Sequence, residues 1–362
     1  MKKSTWKKLC SAVVAAGMTI GVAAGASAAS RADLAAIHVE KARDFQYWSK
    51  DSAAHKALVD YVKDVTNKRS PNYIPEEDRI AVFDLDGTLL GERTPSYFEW
   101  MMYLDRALND PSYTPSEADR AYAEEVRDAI YNTGIPSDME RKEAVSQASV
   151  FAGMTLPEYE AYVKKFMDTP AEGLTNLKRG EEFYLPMVEV VSYLEANDFE
   201  IYIVSGSDRQ ALRILVDGIM DIDPDNIIGT DAWVLASGQG DTDGLDYVYD
   251  KKDHLVRGQF MLKDVKMNKV SNIAQEIGKQ PVLAFGNSSG DASMFNYTIN
   301  NNKYKALAFS LCCDDLEREL GNIQKAERMY ASCEKNGWIP ISMKNDFKTI
   351  YGDNVKREKP AE

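Results

Sequence analysis

The sequence predicts an α/β fold in which a doubly wound parallel sheet carries a helical insert after its first strand. Short, continuously apolar runs alternate with amphipathic helical segments, which is typical of parallel strands buried on both faces. Only helical periodicity is found between the first and the second of these runs. Three of the runs end in clusters of small and polar residues. Because open parallel sheets bind ligands beyond the carboxyl ends of their strands, these clusters are the candidate site.

Residues 1–28 have the pattern of a secretory signal peptide. Lysines precede a small apolar run from Ala12 to Ala24, and Ala26-Ser27-Ala28 supplies a small-residue cleavage site. A membrane anchor is the competing interpretation, but this run is short and rich in Ala and Gly, and no other segment approaches the roughly 20 apolar residues of a spanning helix. We therefore expect an exported protein, periplasmic or secreted, that is not stably inserted in a membrane after cleavage.

The chain is acidic, with 57 Asp and Glu against 43 Lys and Arg and a formal net charge of −14. An acidic surface disfavours nucleic acids and anionic membranes as partners, and the sequence leaves the oligomeric state open. Export would permit disulfides. The cysteines beyond the predicted signal peptide are Cys312, Cys313 and Cys333. A bridge from Cys333 to Cys312 or Cys313 and a set of buried free thiols are comparable alternatives.

The first part of the predicted core, residues 29–91, contains a helix and the first strand. Apolar side chains recur at helical spacing over residues 53–68, and the turn-rich segment 70–78 ends that helix. The apolar run IAVF, residues 80–83, is the first strand. Residues 92–180 then show long helical periodicities, as in EADRAYAEEVRDAIYN, and are predicted to form a helical cap, large enough to cover a site but smaller than most domains.

The second part of the core, residues 181–362, continues the alternation of helices and strands. Residues 230–262 alternate in polarity around SGQGDTDG, which predicts a small antiparallel excursion. The other predicted elements, in chain order, are a helix at 185–197, a strand at 199–208, a helix at 209–219, a helix at 269–277, a strand within 281–291 and a strand at 305–311.

Three strand ends and one helix carry the candidate site residues. These are Asp84, Asp86 and Thr88 after the first strand, Ser205 and Gly206 in the second cluster, Asn287 and Asp291 in the third, and Lys269 at the start of the helix before it. If the strands are parallel neighbours, the clusters gather at one edge of the sheet. Asp and Gly also end strands in ordinary turns, but several such motifs in order favour a reaction centre.

Phosphoryl transfer is the chemistry that these residue types favour. A carboxylate can attack phosphorus to form an acyl phosphate, which divides one difficult hydrolysis into two steps. A second carboxyl group two residues away can protonate the leaving oxygen and then activate water. The negative charge calls for a lysine, hydroxyl or backbone N–H donors, and a divalent cation. Hard oxygen ligands suit Mg²⁺, so the sequence predicts Mg²⁺ as the cofactor.

At these motifs the chain resembles the haloacid dehalogenase superfamily of phosphatases, with a helical C1-type cap as in relatives of phosphoserine phosphatase. Stretches such as YIPEEDRIAVFDLDGTLL and VLAFGNSSGDASMF are similar to exported members of that superfamily. The resemblance implies a Rossmann-like core in which Asp84 is the nucleophile and Asp86 the acid and base. It also implies that Ser205 and Gly206 hold the phosphoryl group and that Lys269 is the lysine of the third motif.

In the fourth motif, which the family usually writes GDxxxD, Asn287 stands where Asp is most frequent and Asp291 occupies the second acidic position. The resemblance implies that Asp84, Asp86, Asn287 and Asp291 hold the metal, and the amide removes one negative charge from that set. Lys263 and Lys266 are alternatives to Lys269, and Thr88 serves either the phosphoryl group or the turn.

Glu92 and Trp100 are candidate substrate contacts. Glu92 follows the first motif where relatives place flap residues, although a solvated loop carboxylate is an equally good interpretation. Trp100 belongs to the aromatic run YFEWMMY, which at helical spacing fits a cap core, or with Glu92 could receive a cationic head such as choline or an amine.

The function that the sequence predicts is a Mg²⁺-dependent phosphomonoesterase acting on small-molecule phosphate esters through an aspartyl-phosphate intermediate. Two alternatives stay open: a phosphotransferase on the same scaffold, and a capped phosphate- and metal-binding protein with weak or no turnover. Both Asp84 and Asp86 are present, which argues for turnover. The identity of the ester is set by the cap, and the sequence does not disclose it.

Overall fold

A computed structural model describes residues 28–136 and 138–358. Apart from Ala28, the predicted signal peptide lies outside the described residues. Seven strands form one sheet in the order β4-β3-β2-β1-β5-β6-β7. The strands are β1 (Ile80–Phe83), β2 (Glu200–Asp208), β3 (Ile227–Ala236), β4 (Leu255–Leu262), β5 (Leu283–Gly286), β6 (Leu307–Cys312) and β7 (Ile339–Ser342).

All neighbouring strands in this sheet are parallel except β3 and β4, which are antiparallel. In the centre, Phe83 of β1 is level with Ile203 of β2 and Phe285 of β5. The strand β1 is buried along its whole length, as its uninterrupted apolar sequence requires. The predicted α/β fold with a Rossmann-like, mostly parallel sheet is therefore confirmed.

Helices connect the strands and lie on both sides of the sheet. They are α1 (Arg31–Ala35), α2 (Ala53–Thr66), α3 (Phe98–Leu104), α4 (Glu117–Asp128), α5 (Met139–Phe151), α6 (Leu156–Met167), α7 (Leu185–Glu195), α8 (Arg209–Val216), α9 (Met267–Asn272), α10 (Ala292–Ile299), α11 (Ile323–Asn336) and α12 (Met343–Asp346). Five of them, α3 to α7, lie between β1 and β2 in the chain, and the first four begin and end within residues 92–180. The helix α6 begins with a capping box in which Thr155 and Glu158 satisfy each other's backbone N–H groups.

The sequence identified only the second half of β3. The structure begins this strand at Ile227, where Ile227 and Ile228 pair in parallel with Ile203 and Val204 of β2. Beyond this point β3 leaves its parallel partner and pairs antiparallel with β4, so Ala236 faces Leu255. The alternation of polar and apolar residues indicates the more exposed second half of β3. The buried first half is too short for its sequence to be distinguished from the end of a loop.

The sheet separates two apolar cores because successive side chains of a strand point to opposite faces. Ala81 and Phe83 contribute to the larger core, while Ile80 and Val82 contribute to the smaller one. The rings of Phe83, Phe285 and Phe309 stack across three neighbouring strands, with centroid distances of 4.3 and 5.0 Å. These rings lie just before the polar clusters and give them a rigid base.

The three cysteines of the described chain are buried and free, so the predicted disulfide is absent and the alternative of buried thiols holds. Cys312 and Cys333 belong to the smaller core, whereas Cys313 faces the larger one. Within residues 28–136 and 138–358, no helix combines the length and the apolar character needed to cross a membrane.

Candidate active site

The carboxyl ends of β1 and β5 bring two of the polar clusters side by side. The backbone N–H of Asp84 donates to the carbonyl oxygen of Phe285 at 2.9 Å and so extends the pairing of these strands by one residue. The sheet edge therefore holds Asp84 beside the turn that begins at Asn287. This is the arrangement that parallel pairing predicts for neighbouring strand ends.

Lys269 lies at the centre of the site and is only 1% exposed. Its ammonium group donates to Asp84 Oδ1 at 2.7 Å and to Asp291 Oδ1 at 2.6 Å. Burial alone would lower the pKa of Lys269, but Asp291, Asp84 and Asp264 raise it above its ordinary value. Burial and repulsion from Asp291 raise the pKa of Asp84 to about 7, against the opposing effect of Lys269. One ammonium therefore serves two buried carboxylates.

Asp291 also organises the loop after β5. Its Oδ2 accepts hydrogen bonds from the backbone N–H groups of Asn287 and Ser288, both at 3.0 Å. The side chain thus closes the turn with one oxygen and positions Lys269 with the other. Both of its oxygens already have partners, so a direct contact between Asp291 and a metal stays a prediction.

Asp86 is held from the neighbouring strand β2. The hydroxyl of Ser207 donates to Asp86 Oδ2 at 2.5 Å, while the buried Oδ1 has no hydrogen-bond partner among the described residues. Burial raises the pKa of Asp86 to about 8, repulsion from Asp84 raises it further, and the Ser207 hydroxyl works in the opposite direction. A carboxyl group with this pKa can carry a proton at neutral pH.

Gly87 allows the first and third clusters to approach each other. Its φ angle is +76°, a conformation that favours glycine, and its N–H donates to the carbonyl of Leu90 at 2.6 Å. A Cβ atom at this position would overlap the amide of Asn287 and lie 2.7 Å from Cδ of Glu92. Because Gly87 has no side chain, the side chains of Asn287 and Glu92 can both pack against the turn after β1.

The second cluster contributes mainly through its backbone and hydroxyl groups. Ser205 is buried and its Oγ accepts from the N–H of Ser207 at 3.2 Å. The carbonyl of Gly206 accepts from the hydroxyl of Thr230 at 2.5 Å. The hydroxyl of Thr88 is buried at the turn and has no partner among the described residues. The predicted phosphate-binding residues thus lie at the same edge as Asp84 and Asp86.

The two predicted substrate contacts differ in position. Glu92 is buried against Gly87 and forms an ion pair with Lys325 of α11. Trp100 is buried in the helical segment, edge to face with Tyr97 at 5.8 Å between ring centroids. Of Trp100 and Tyr97, it is Tyr97 that interacts electrostatically with the acidic residues of the site. Burial raises the pKa of Tyr97 well above the ordinary value, and Glu92 and Asp86 raise it further. A direct contact between Trp100 and substrate stays a prediction.

Sequence reasoning missed a buried charge network beside Asp86. Glu99 of α3 accepts from the Lys263 ammonium at 2.9 Å and from the N–H of Asp208 at 2.8 Å. The guanidinium of Arg257 donates to Asp208 Oδ2 at 2.6 Å and lies over the ring of Tyr159 on α6. These residues are distant in sequence and belong to no short motif, so only the fold brings them together. The network joins the helical segment to β2 and β4.

The donor set around Asp84 fits a hard divalent cation. Within the described chain, no three His, Cys, Asp or Glu side chains are positioned to hold a metal by themselves. However, Asp86 Oδ1 and Asn287 Nδ2 are buried at the same edge without hydrogen-bond partners among the described residues, and the oxygen of this Asn287 amide is the atom that could serve as a ligand. Two carboxylates, one side-chain amide and water ligands are a composition that suits Mg²⁺. These residues fit the predicted ion.

The sequence profile of haloacid dehalogenase-like hydrolases matches residues 81–296, well over half of the chain. The chain belongs to this family. The match covers the three strand-end clusters, Lys269 and the helices α3 to α6, and it stops before β6. The superfamily prediction is therefore confirmed, and the roles of the individual motif residues stay predictions.

Three solved structures are similar to this hydrolase, and the first of them supports its fold. A protein of unknown function from Anaerococcus prevotii matches with a TM-score of 0.50 and 13% identity, over 85% of this chain and 96% of that one. A protein of unknown function from Bordetella pertussis matches over 73% and 97%, with 14% identity and a TM-score of 0.45. A cytosolic 5'-nucleotidase IIIB bound to cytidine matches over 81% and 86%, with 12% identity and a TM-score of 0.47. The comparison with curated proteins gives no match.

Proposed function

We propose that this protein is a Mg²⁺-dependent phosphomonoesterase that hydrolyses small phosphate esters through an aspartyl-phosphate on Asp84. The observation that carries the proposal is the pairing of two differently held acids. Asp84 is fixed by the Lys269 ammonium at 2.7 Å, and Asp86 is fixed by the Ser207 hydroxyl at 2.5 Å. Membership of a hydrolase family supports the reaction type.

In the first step Asp84 attacks phosphorus through its carboxylate while Lys269 holds it in position. The bond from phosphorus to the ester oxygen breaks, and Asp86 gives its proton to the departing alcohol. In the second step Asp86 accepts a proton from the attacking water, and cleavage of the acyl phosphate regenerates Asp84. The Ser205 hydroxyl and the backbone around Gly206 supply donors for the phosphoryl oxygens.

Asp84, Asp86 and Asn287 would hold Mg²⁺, and Asp291 supports them by fixing the loop of Asn287. When bound, the cation neutralises charge on the transferring phosphoryl group. The amide of Asn287 contributes an oxygen without a charge, so this site binds the ion less tightly than one with a third carboxylate. The same residue supports the second candidate, a binding protein with weak turnover.

Helices α3 to α6, within residues 92–180, act in this proposal as a C1-type cap over a core made of residues 29–91 and 181–362. The ion pair of Lys263 with Glu99 of α3 and the stacking of Arg257 on Tyr159 of α6 support this role, since they attach the helical segment to the sheet edge beside Asp86. A closed cap excludes water, and it favours a compact ester over a phosphoprotein. The proposed location is outside the cytoplasm, on the signal-peptide pattern of residues 1–28.

The test is phosphate release from an aryl phosphate by the chain from residue 29 onward. Release is expected with Mg²⁺, and it should disappear with a chelator and in Asp84→Asn. Adding an excess of small alcohol distinguishes hydrolysis from phosphotransfer, because a transferase would convert the alcohol into a new ester. A folded wild-type protein that releases no phosphate with Mg²⁺ would refute the enzyme and favour the binding protein.

A further inference from the structure

The helix α5 carries a buried carboxylate that the proposed reaction does not use. Glu143 is 0% exposed, and neither of its carboxylate oxygens has a hydrogen-bond partner among the described residues. Gln147, one turn further on the same face, is also buried, and its Nε2 is likewise unpartnered. Buried polar groups in proteins are nearly always satisfied, so a polar ligand is one way to satisfy these two side chains.

Glu143 belongs to the layer that covers the catalytic acids. The helix α5 packs against β4 and α3, and backbone hydrogen bonds of 2.8 Å join Arg257 of β4 to Gly153 and Met154 just after the helix. At the other end of α5, Glu140 interacts electrostatically with Tyr97, and so does Asp86. Glu143 itself interacts electrostatically with Glu99, which accepts a hydrogen bond from the N–H of Asp208, the residue next to the Ser207 that holds Asp86.

The neighbouring buried carboxylates each have a cation of their own. Glu99 is paired with Lys263 at 2.9 Å, and Asp208 is paired with Arg257 at 2.6 Å. Glu143 lies near Lys263 but forms no hydrogen bond with it, and burial followed by repulsion from Glu99 raises its pKa well above the ordinary value. Lys263 is thus hydrogen-bonded to Glu99 and only near Glu143, so no cation of the described residues is hydrogen-bonded to Glu143.

We propose that Glu143 binds a primary ammonium group on the leaving group of the substrate, so that the preferred ester is the phosphate of a small primary amino alcohol. This inference rests on the proposed phosphatase function. A primary ammonium has N–H donors for both carboxylate oxygens and supplies the missing positive charge. A quaternary ammonium has no N–H to donate, and a neutral hydroxyl leaves the charge uncompensated. Glu143 thereby determines substrate specificity.

The experiment compares 2-aminoethyl phosphate with n-propyl phosphate, which has a methyl group in place of the ammonium. A hydrogen-bonded charge in a buried site changes the ratio of the two kcat/KM values by about 10- to 100-fold, so the wild type should favour the amine by this factor. In Glu143→Gln the ratio of the two kcat/KM values should approach one, through loss of activity on 2-aminoethyl phosphate. Glu124→Gln removes an exposed carboxylate from α4 of the same segment and should keep the wild-type ratio.

Two further measurements separate the possible failures. Calorimetric titration with ethanolamine should show binding to the wild type and not to Glu143→Gln, and it requires no catalysis. Glu143→Asp, which keeps the charge on a shorter side chain, should retain part of the preference for the amine. Aryl phosphate turnover without any preference for the amine would overturn this inference but not the phosphatase. Ethanolamine binding without turnover of any ester would overturn the phosphatase and leave the ammonium site standing.

Discussion

Replacing Lys269 with Met tests whether this lysine holds the two acids of the site together. The change removes hydrogen bonds of 2.7 Å to Asp84 and 2.6 Å to Asp291 and leaves two buried carboxylates without a cation. Removing one partner of a buried ion pair costs about 3–5 kcal/mol of folding free energy. With a urea dependence of about 3 kcal/mol per M for a chain of this size, the unfolding midpoint should fall by about 1–1.7 M.

The assay is urea unfolding of metal-free protein followed by circular dichroism, with phosphate release measured in parallel. Lys266→Met is the matched control, because Lys266 is exposed in the same segment and should shift the midpoint by less than about 0.2 M. The loss in Lys269→Met should be larger at pH 8 than at pH 5, since protonation of Asp84, whose pKa is about 7, relieves its repulsion from Asp291. An unchanged midpoint for Lys269→Met, or equal losses in both variants, would refute this account.

Three further predictions concern other parts of the molecule. Gly87→Ala should abolish phosphate release, because the added Cβ would displace Asn287 and the φ angle of +76° disfavours alanine; magnesium titration of the assay measures the loss. Glu195→Gln should have a higher free energy of unfolding than the wild type, by about 1–3 kcal/mol above pH 8, and the two should be equal below pH 4.5. Urea unfolding at the two pH values measures this difference. Burial, and secondly repulsion from Asp221, raises the pKa of Glu195 from 4.5 to about 8 in the folded protein. Between pH 4.5 and pH 8 the unfolded wild type has therefore lost a proton that the folded wild type keeps, so its free energy of unfolding falls as the pH rises. Oxidation by an external disulfide should join Cys333 to Cys312, since these two thiols interact on one face of the sheet, and peptide mapping identifies the pair.

The sheet edge could be predicted because it depends on local sequence and a general rule of parallel sheets. The run ending at Phe83 is apolar throughout and Asp84 follows directly, so the strand and its end are both visible in the sequence. Parallel pairing then brings this end beside the turn at Asn287 without knowledge of any long-range contact. The residue types at the strand ends indicate the chemistry.

Other parts of the site depend on contacts that the sequence does not encode locally. Ser205 and Ser207 lie two residues apart on one strand, so the alternation of side chains does not distinguish them, yet it is Ser207 that reaches Asp86. Likewise Lys263, Lys266 and Lys269 are interchangeable by composition. The structure separates them: Lys263 is buried and pairs with Glu99 of α3, Lys266 is exposed, and Lys269 is buried and pairs with Asp84.

The distribution of charge links the two ends of the proposed substrate. At the sheet edge Asp84 and Asp291 share one buried ammonium, that of Lys269, so deprotonation of Asp84 and of the neighbouring Asp86 leaves an excess of negative charge that repels a phosphate dianion. A divalent cation reverses that excess, and so phosphate should bind well only when the metal is present. At the other end of the proposed substrate, Glu143, whose carboxylate oxygens have no hydrogen-bond partner among the described residues, favours a cation on the leaving group. Metal and substrate therefore each strengthen the binding of the other, and thermodynamic linkage requires the two effects to be equal in size.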